Sequence, residues 1–296
     1  MNTPIASQLA SKRVALENIL YATDLSRDSA KALPYALSIA GKYGATMFAA
    51  HIIHSLPLQE SLQPLTLQAI TAQTVREAKD GMAELEPKLK GIPHELMIRK
   101  GEIWHQLSEI INDKGIDLIV AGTHGRTGVS KLLMGSIAEQ IFRQAPCPVL
   151  TVGPNVAGEP GSIVDIHEIL FPTDFSKESL GALPYAISLA QENQSRLYVL
   201  HVAASPLSAF EEAQMNSRLL TLVPPEARLW CEPKAFAESG DAAQKIMDLA
   251  EELGVDLIVL GTKRVPAITG AITYLGMATA YKVASQAICP ILTVRG

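Results

Sequence analysis

Short apolar runs alternate with longer amphipathic segments along the first half of the chain. The runs are rich in Val, Ile, Leu and Ala, and they lie at about 18–22, 46–51, 95–99, 117–121 and 148–152. Because apolar residues occupy consecutive positions, the runs indicate strands buried on both faces, as in a parallel sheet. Helical patterns fill the gaps at about 27–42, 62–90, 102–114 and 136–144. The alternation predicts an α/β fold with right-handed crossovers.

The same succession returns in the second half, together with many of the same residues. Four segments recur in the same order, as the pairs 19–26 and 169–176, 32–40 and 182–190, 115–123 and 254–262, and 147–152 and 289–294. The last pair reads CPVLTV and CPILTV. Four ordered matches indicate a duplicated domain. They predict strands in the second copy at about 168–172, 196–202, 227–236, 256–260 and 290–294.

The duplication predicts two tandem, doubly wound, Rossmann-like domains, each with a five-stranded parallel sheet. The segment 153–165, GPNVAGEPGSIVD, is rich in Gly and Pro and has no periodic pattern, so it is interpreted as the linker. The domains are placed at 1–156 and 157–296. The offset between matching segments is 150 residues, then 139, then 142. The second copy therefore lacks 11 residues in its middle and gains three before its last strand.

Composition and charge narrow the class of protein without defining its function. The chain has 296 residues, 48% of them hydrophobic, and a formal net charge of −5. No cluster of Lys and Arg occurs, so nucleic acid is not an expected partner. The three cysteines form no close pair, which disfavours disulfides and zinc and favours a reducing compartment. We find no signal-peptide pattern and no apolar run of membrane-spanning length, so we expect a cytoplasmic protein.

The carboxyl ends of the first and fourth strands are where such a sheet binds ligands. Thr23 and Asp24 follow the first strand, and a loop with Gly122, Gly125 and Gly135 follows the fourth. Glycine lets the backbone approach a ligand closely. These two segments are therefore the candidate site.

The helix after the loop is predicted to begin at Gly135 and Ser136, because Glu139 stands at capping-box spacing from Ser136. A helix N-terminus offers unpaired amides and a partial positive charge, which favour phosphate. Arg126 and Lys131 in the loop would neutralise phosphate charge. The loop matches neither a Walker A motif nor a dinucleotide fingerprint. From spacing alone, a phosphate site and a structural glycine loop are equally open.

The chain resembles a tandem universal stress protein, and the resemblance covers nearly the whole chain, twice. ATP-binding members carry G-x2-G-x9-G-[ST] after the fourth strand, which Gly122, Gly125, Gly135 and Ser136 match at every position. The family's first strand ends in a Thr-Asp pair, and both copies have one. The resemblance implies that the last strands of the two copies pair antiparallel and form an intrachain pseudo-dimer. Both strands are apolar, and pairing would cover edges that otherwise promote aggregation.

The resemblance also implies a role for each residue of the candidate site. Ala22, Thr23 and Asp24 would lie near the base and ribose, and Ile52 would present its backbone to adenine. The other residues would lie along the ribose and phosphates, with the terminal phosphates at the last three: Ala121, Gly122, His124, Gly125, Arg126, Gly135, Ser136 and Ile137. The implied ligand is ATP, with Mg²⁺ or Mn²⁺ bridging phosphate oxygens.

Several candidates also have a purely structural interpretation. Asp24 recurs as Asp174, and it would then cap a turn rather than contact a ligand. His124 has no indicated Ser, Cys or carboxylate partner, so no catalytic residue is predicted. Two further repeated pairs are interpreted as packing residues, namely His51 with His201 and Cys147 with Cys289.

The corresponding loop of the second copy departs from the motif. Arg264 stands at the second glycine position, and Pro266 removes a backbone donor. Gly276 and Met277 lie two residues too late for the pair that opens the helix. The loop is interpreted as having a structural role only, and the alternative is that it forms an apolar site for another ligand. One nucleotide per chain is therefore expected.

Three classes of function are consistent with these observations. The first is an ATP-binding regulatory protein of the stress response, which acts through an unidentified protein partner. The second is an ATPase, and a slow one, since no base or arginine finger is evident. The third is a nucleotide-free scaffold or a binder of apolar ligands that acts through the second copy. Association of two tandem chains into a homodimer is left open.

Overall fold

The computed structural model describes residues 14–54, 64–123, 134–156, 164–263 and 275–295, and at 64–67 and 275–278 it describes the backbone alone. In this part of the chain one sheet contains ten strands. Those of the first half are β1 (Asn18–Ala22), β2 (Thr46–Ile53), β3 (His94–Lys100), β4 (Leu118–Gly122) and β5 (Val149–Val152). Those of the second half are β6 (Glu168–Pro172), β7 (Arg196–Ala203), β8 (Lys234–Ser239), β9 (Leu257–Thr262) and β10 (Ile291–Arg295).

Helices connect the strands on both faces of the sheet. The first half contains α1 (Arg27–Ala30), α2 (Leu33–Tyr43), α3 (Pro64–Ala83), α4 (Ile103–Asp113) and α5 (Ser136–Gln144). The second half contains α6 (Lys177–Leu180), α7 (Leu183–Asn193), α8 (Ala209–Leu220), α9 (Ala242–Glu252) and α10 (Leu275–Gln286). Short 3₁₀ helices lie at Glu86–Leu89 and Pro225–Leu229.

The sheet has the strand order β3-β2-β1-β4-β5-β10-β9-β6-β7-β8. Strands run parallel within each half, and β5 and β10 run antiparallel at the centre. There Leu150 lies opposite Leu292, and the hydroxyls of Thr151 and Thr293 donate to main-chain oxygens of the other strand at 3.3 and 3.2 Å. The predicted fold, with two doubly wound domains joined as an intrachain pseudo-dimer, is confirmed.

The core differs between the two faces of the sheet. On one face a single hydrophobic cluster runs through both halves beneath α2 and α7. On the other face each half has its own cluster, and α5 contributes to both of them. Its Ile141 packs in the first-half cluster, whereas Ala138 and Phe142 pack in the second-half cluster, where Phe142 meets the Tyr281 ring edge-on at 6.3 Å. Helix α5 therefore links the halves on this face.

The C-terminal ends of α5 and α10 are both capped from outside their own half. Arg295, in the last strand, donates from its guanidinium to the Phe142 carbonyl at 2.6 Å. Asn155, after the first half's last strand, donates its amide to the Gln286 carbonyl at 3.1 Å. The last carbonyls of a helix have no intrahelical partner. Each half therefore completes a helix end of the other.

Two predictions from the sequence pattern are wrong in detail. The strand expected at about 227–236 is a 3₁₀ helix followed by β8, because Pro225 opens a short helix and the core-facing Ala227 and Trp230 lie three residues apart, the spacing of a helical turn. The helix expected at about 27–42 is interrupted between α1 and α2, because Pro34 has no backbone donor with which to continue it. The boundary between 1–156 and 157–296 stays a prediction, since residues 157–163 lie outside the described ranges.

Candidate functional site

A pocket of about 500 Å³, here called the first pocket, opens at the carboxyl ends of β1 and β4. The ends of β1, β2 and β4 form one side, and the first turns of α4 and α5 form the other. The predicted residues that line it are Ala22, Thr23, Asp24, Ile52, Ala121, Gly122, Gly135, Ser136 and Ile137. The other three predicted residues, His124, Gly125 and Arg126, lie outside the described residues.

Some lining residues were missed from the sequence. Ile103 and Leu107 of α4 extend the apolar wall, and His54 and Glu102 add polar groups at the rim. The carboxylate of Glu102 accepts hydrogen bonds from the backbone amides at the start of α4 and so caps that helix. The spacing of Ile103 and Leu107, one helical turn apart, was the available signal, since it places both on one helix face.

The turn after β1 is held by a network of short polar side chains. Thr23 Oγ1 accepts from the Leu25 amide at 3.0 Å and shares a 2.9 Å hydrogen bond with the Ser29 hydroxyl. Asp24 Oδ1 accepts from the Ser26 amide at 3.0 Å. Leu25 is held at φ 63°, a left-handed conformation that non-glycine residues rarely adopt. The network fixes this strained backbone, and it aims the turn into the pocket.

The second half builds the same turn with equivalent residues. Thr173 Oγ1 accepts from the Phe175 amide at 3.0 Å and pairs with the Ser179 hydroxyl at 2.8 Å, and Phe175 has φ 62°. Asp174 Oδ1 accepts from the Ser176 amide at 2.9 Å. Burial acts to raise the pKa of Asp174, but hydrogen bonds from Ser176 and Ser179 outweigh it and hold the pKa below its usual value. The Thr-Asp pair is therefore architectural in both halves.

The repeated histidines complete this turn rather than fill space alone. His51 Nδ1 lies 2.9 Å from the Thr23 carbonyl, and His201 Nδ1 lies 2.9 Å from the Thr173 carbonyl. Because a carbonyl can only accept, Nδ1 must carry the proton in both rings. The prediction of packing residues was incomplete, since both histidines also satisfy a carbonyl at the edge of a pocket.

Helix α5 begins at Ser136, as predicted, but the predicted capping box is wrong. Gly135 is the N-cap, with φ −62° and ψ 150°, and no side chain in the described part of the chain caps the helix. Glu139 instead pairs with Arg143 at 3.1 Å. The amides of the first helical residues have no intrahelical partner. Because Gly135, Ser136 and Ile137 all line the first pocket, that end of the helix faces it.

A second pocket of about 260 Å³ lies at the equivalent place in the second half. Thr173, Asp174, Gly261 and Lys263 line it where Thr23, Asp24, Gly122 and His124 stand in the first copy. Leu200 and Val202 of β7 and Ala242 and Ile246 of α9 supply its apolar wall. It is therefore a smaller version of the first pocket.

The two pockets differ where the following helix begins. Helix α10 starts at Leu275 and has 12 residues, whereas α5 has nine. Thr279 and Ala280, which line the second pocket, are thus the fifth and sixth residues of α10, and their amides lie inside the helical hydrogen-bond ladder. The three residues gained in the second copy therefore extend α10 at its N-terminus. In the first half it is the N-terminus of α5 that faces the pocket.

Gly261 has a structural role in the second pocket. A Cβ atom there would lie 2.2 Å from the Glu178 carbonyl oxygen and 2.4 Å from the Ser179 Cα. No other residue fits without moving helix α6. Arg264 and Pro266 lie outside the described residues, as do the other loop positions up to 274.

The remaining chemistry of the described residues is sparse. Burial raises the pKa of the Cys147 and Cys289 thiols to about 12, so both stay protonated, in line with the interpretation as packing residues. No three His, Cys, Asp or Glu side chains within the described ranges form a group that could hold a metal ion. Each helix in those ranges is too short or too polar to cross a membrane.

A tandem α/β protein with one pocket at the strand ends of each half is the class that the fold defines. The sequence profile of the universal stress protein family matches residues 15–153 and again residues 166–295. The chain therefore belongs to the universal stress protein family, which is represented once in each half.

Similar proteins agree with this assignment. A universal stress protein of Methanocaldococcus jannaschii is 28% identical over 138 residues, covering 46% of this chain and 81% of the relative. Universal stress protein A homolog 1 of Coxiella burnetii is 33% identical over 138 residues, covering 46% of this chain and 95% of the relative. The crystal structure of a universal stress protein from Archaeoglobus fulgidus superposes with a TM-score of 0.71 at 22% identity, over 94% of this chain and 98% of that one.

Proposed function

We propose that the first half binds ATP, with adenine on the apolar wall and the phosphates at the start of α5. The observation that carries the proposal is the start of α5 at Gly135, Ser136 and Ile137, which lines the first pocket and receives no side-chain cap from the described residues. Free amides and the positive end of the helix dipole attract phosphate oxygens. The glycine motif of ATP-binding family members also matches in full, at Gly122, Gly125, Gly135 and Ser136.

The opposite end of the pocket suits a purine base. Ala22, Ile52, Ile103 and Leu107 give it an apolar surface from two strands and a helix. Its volume of about 500 Å³ lies within the range of roughly 300–1,000 Å³ that is usual for small-molecule sites. The apolar and phosphate-binding ends together match the two ends of a nucleotide.

Charge neutralisation in this proposal comes from the loop and from a bound cation. Mg²⁺ or Mn²⁺ is proposed to bind with the phosphates and to neutralise part of their charge. Asp24 would accept from the ribose hydroxyls. Arg126 and Lys131, which lie outside the described residues, are proposed to pair with the phosphates.

Binding rather than turnover is the proposed activity, and a protein partner would respond to the bound state during stress. The carboxylate of Asp24 accepts from the Ser26 amide, and that of Glu102 accepts from the Trp104 and His105 amides. Both carboxylates of the first pocket's described lining therefore hold the backbone of a turn or of a helix start, a structural role that does not require turnover.

Substitution of Gly135 tests the proposal directly. The φ of −62° accepts a side chain, so Gly135→Val should fold while placing methyl groups where phosphate must approach. Titration calorimetry should show one ATP per wild-type chain and an affinity at least about tenfold lower in the variant, or roughly 1.4 kcal/mol. Val202→Trp, which fills the second pocket, is the matched control and should leave ATP binding unchanged. Unchanged affinity in folded Gly135→Val, or two ATP per chain, would contradict the proposal.

A further inference from the structure

We infer that the second pocket binds a nucleoside without a phosphate chain. The inference rests on the proposed function only for the choice of adenine as the base, since the size and chemistry of the second pocket are independent of it. Three features carry it. The apolar wall is equivalent to that of the first pocket, the rim has polar acceptors, and the pocket does not meet a helix N-terminus as the first pocket does.

The apolar walls of the two pockets correspond position by position. Ile52, near the end of β2, corresponds to Val202 in β7, and each lines its pocket. Leu107 of α4 likewise corresponds to Ile246 of α9. A planar base that packs on one wall has an equivalent surface on the other.

The rim of the second pocket offers acceptors for hydroxyl and amino groups. Asp174 and Glu178 both line it, and the Ser176 hydrogen bonds keep Asp174 ionised at neutral pH. A carboxylate has about four lone-pair sites, and the Ser176 amide and hydroxyl both donate to Oδ1 of Asp174, so at least two of the four are used. Thr279 adds a further hydroxyl, whereas the Ser179 hydroxyl is already bonded to Thr173 and to the Ser176 carbonyl. These groups suit the hydroxyl donors of a sugar.

The described lining of the second pocket offers no counterpart of the site proposed for the phosphate chain. The helix amides at Thr279 and Ala280 are used inside α10, whereas in the first pocket the lining residues are the N-cap and first turn of α5. The volume of about 260 Å³ also falls just below the usual range for drug-sized ligands, roughly 300–1,000 Å³. The second pocket therefore has room for a nucleoside but not for a nucleoside with a phosphate chain.

Lys263 is the described cation of this lining, and it does not replace the lost amides. It stands at the position of His124 of the first copy, and its side chain is exposed. An exposed ammonium on a flexible stem contributes little, because solvent screens it and ordering the stem costs entropy. AMP should therefore bind no more tightly than adenosine.

The test uses the full chain with the first pocket blocked. Ile52→Trp fills the first pocket, and adenosine is then titrated into this protein by calorimetry. We expect binding at one site per chain, equal or weaker binding of AMP, and at least tenfold weaker binding of ATP. Addition of Val202→Trp should abolish adenosine binding. Should Ile52→Trp not fold, adenosine can be titrated into wild-type protein saturated with ATP. Calorimetry then measures adenosine binding to the second pocket in the same way.

Asp174→Asn is the second variant, because its amide oxygen can still accept from Ser176 while the charge is lost. Adenosine affinity should fall several-fold, and the matched Asp24→Asn variant should leave it unchanged in the blocked protein. The inference is overturned if adenosine does not bind, if Val202→Trp has no effect, or if AMP or ATP binds more tightly than adenosine. Failure of the wild-type protein to bind ATP would instead refute the proposed function. The titration of adenosine into Ile52→Trp would still test the second pocket.

Discussion

The two pockets of this molecule share nearly everything except the start of one helix. Both have a Thr-Asp turn with a left-handed residue, a histidine that holds the turn carbonyl, and an apolar wall from two strands and a helix. In the first half, helix α5 begins at the pocket with a glycine N-cap. In the second half, helix α10 begins before the equivalent point, so the pocket meets the interior of the helix. Three added residues convert a helix terminus into a helix interior.

The comparison separates residues that build the fold from residues that a ligand needs. Asp24 and Asp174 accept the same backbone hydrogen bond, so the recurrence of this aspartate says little about binding. Gly135 and Ser136 occur in only one copy, where the helix end faces the pocket. In a duplicated protein, the features that one copy has lost are better guides to ligand binding than those that both copies keep.

The largest effect is expected for Leu150→Lys at the central seam, which tests whether the two pockets belong to one cooperative body. Leu150 is 1% exposed and packs opposite Leu292 in the cluster that spans both halves. A buried charge and lost packing there should lower the free energy of unfolding by about 3–5 kcal/mol. Urea denaturation should show both halves losing stability together.

Trp104 and Trp230 lie in different halves: Trp104 packs on the cluster confined to the first half, and Trp230 packs on the second-half part of the cluster that spans both. Single-tryptophan variants of Leu150→Lys should give coincident fluorescence transitions. Ile119→Lys is the matched control, since Ile119 is equally buried but lies in the cluster confined to the first half. Trp230 should be less affected by it than Trp104. An unchanged Trp230 transition in Leu150→Lys would show that the seam does not couple the halves.

A smaller effect is expected at the glycines, where the comparison predicts opposite behaviour. Gly261→Ala should cost about 2–3 kcal/mol, because the new methyl group meets the backbone of α6 at 2.2 Å and backbone cannot rotate away. Gly135→Ala should cost under about 1 kcal/mol, because among the described residues the atom nearest to the new Cβ is the Thr123 carbonyl oxygen, at 3.4 Å. Thermal and urea unfolding of both variants provide the measurement. Equal losses would mean that the motif glycine of the first half is structural too.

Much of this arrangement could be predicted from the sequence, because duplication repeats local signals. The apolar runs predicted β1, β2, β4 and β5 closely, and the family resemblance implied the antiparallel seam, for which the apolar last strands gave a physical motive. The family resemblance, carried by the Thr-Asp pair and the glycine spacing, implied half of the residues that line the first pocket. These features depend on local pattern, which the chain carries twice.

The missed features depend on distance in space or on backbone conformation. The hydrogen bond from His51 to the Thr23 carbonyl joins residues 28 apart, and periodicity does not show such contacts. The left-handed conformation of Leu25 was missed because the sequence has no glycine at this position to indicate it. The early start of α10 was missed because the loop before it lost the motif, so no residue pair at the expected spacing marked where the helix begins. Capping was misassigned at Ser136, since a glycine N-cap leaves no side-chain signal.

The smallest effect is expected at the helix ends that the halves cap for each other. Arg295→Ala removes a charged donor from the Phe142 carbonyl of α5, and it should cost about 1 kcal/mol. Asn155→Ala removes a neutral, exposed donor from the Gln286 carbonyl of α10, and about 0.5 kcal/mol is expected. Arg295→Lys keeps the charge and should fall between wild type and Arg295→Ala. Urea midpoints at low and high salt provide the measurement, because salt screens the interaction of the charge with the helix dipole.

These variants also ask whether α5 transmits the state of the first pocket. Its N-terminus lines that pocket, and its C-terminus is held by Arg295 from the other half. If the contact only anchors the helix, Arg295→Ala should change ATP affinity by less than about twofold, because the pocket-facing turn keeps its own packing through Ile137 and Ile141. A loss of tenfold or more, about 1.4 kcal/mol, would exceed the stability of the contact itself. Such a loss would show that the second half sets the geometry of the first pocket, and the two pockets could then no longer be compared as independent sites.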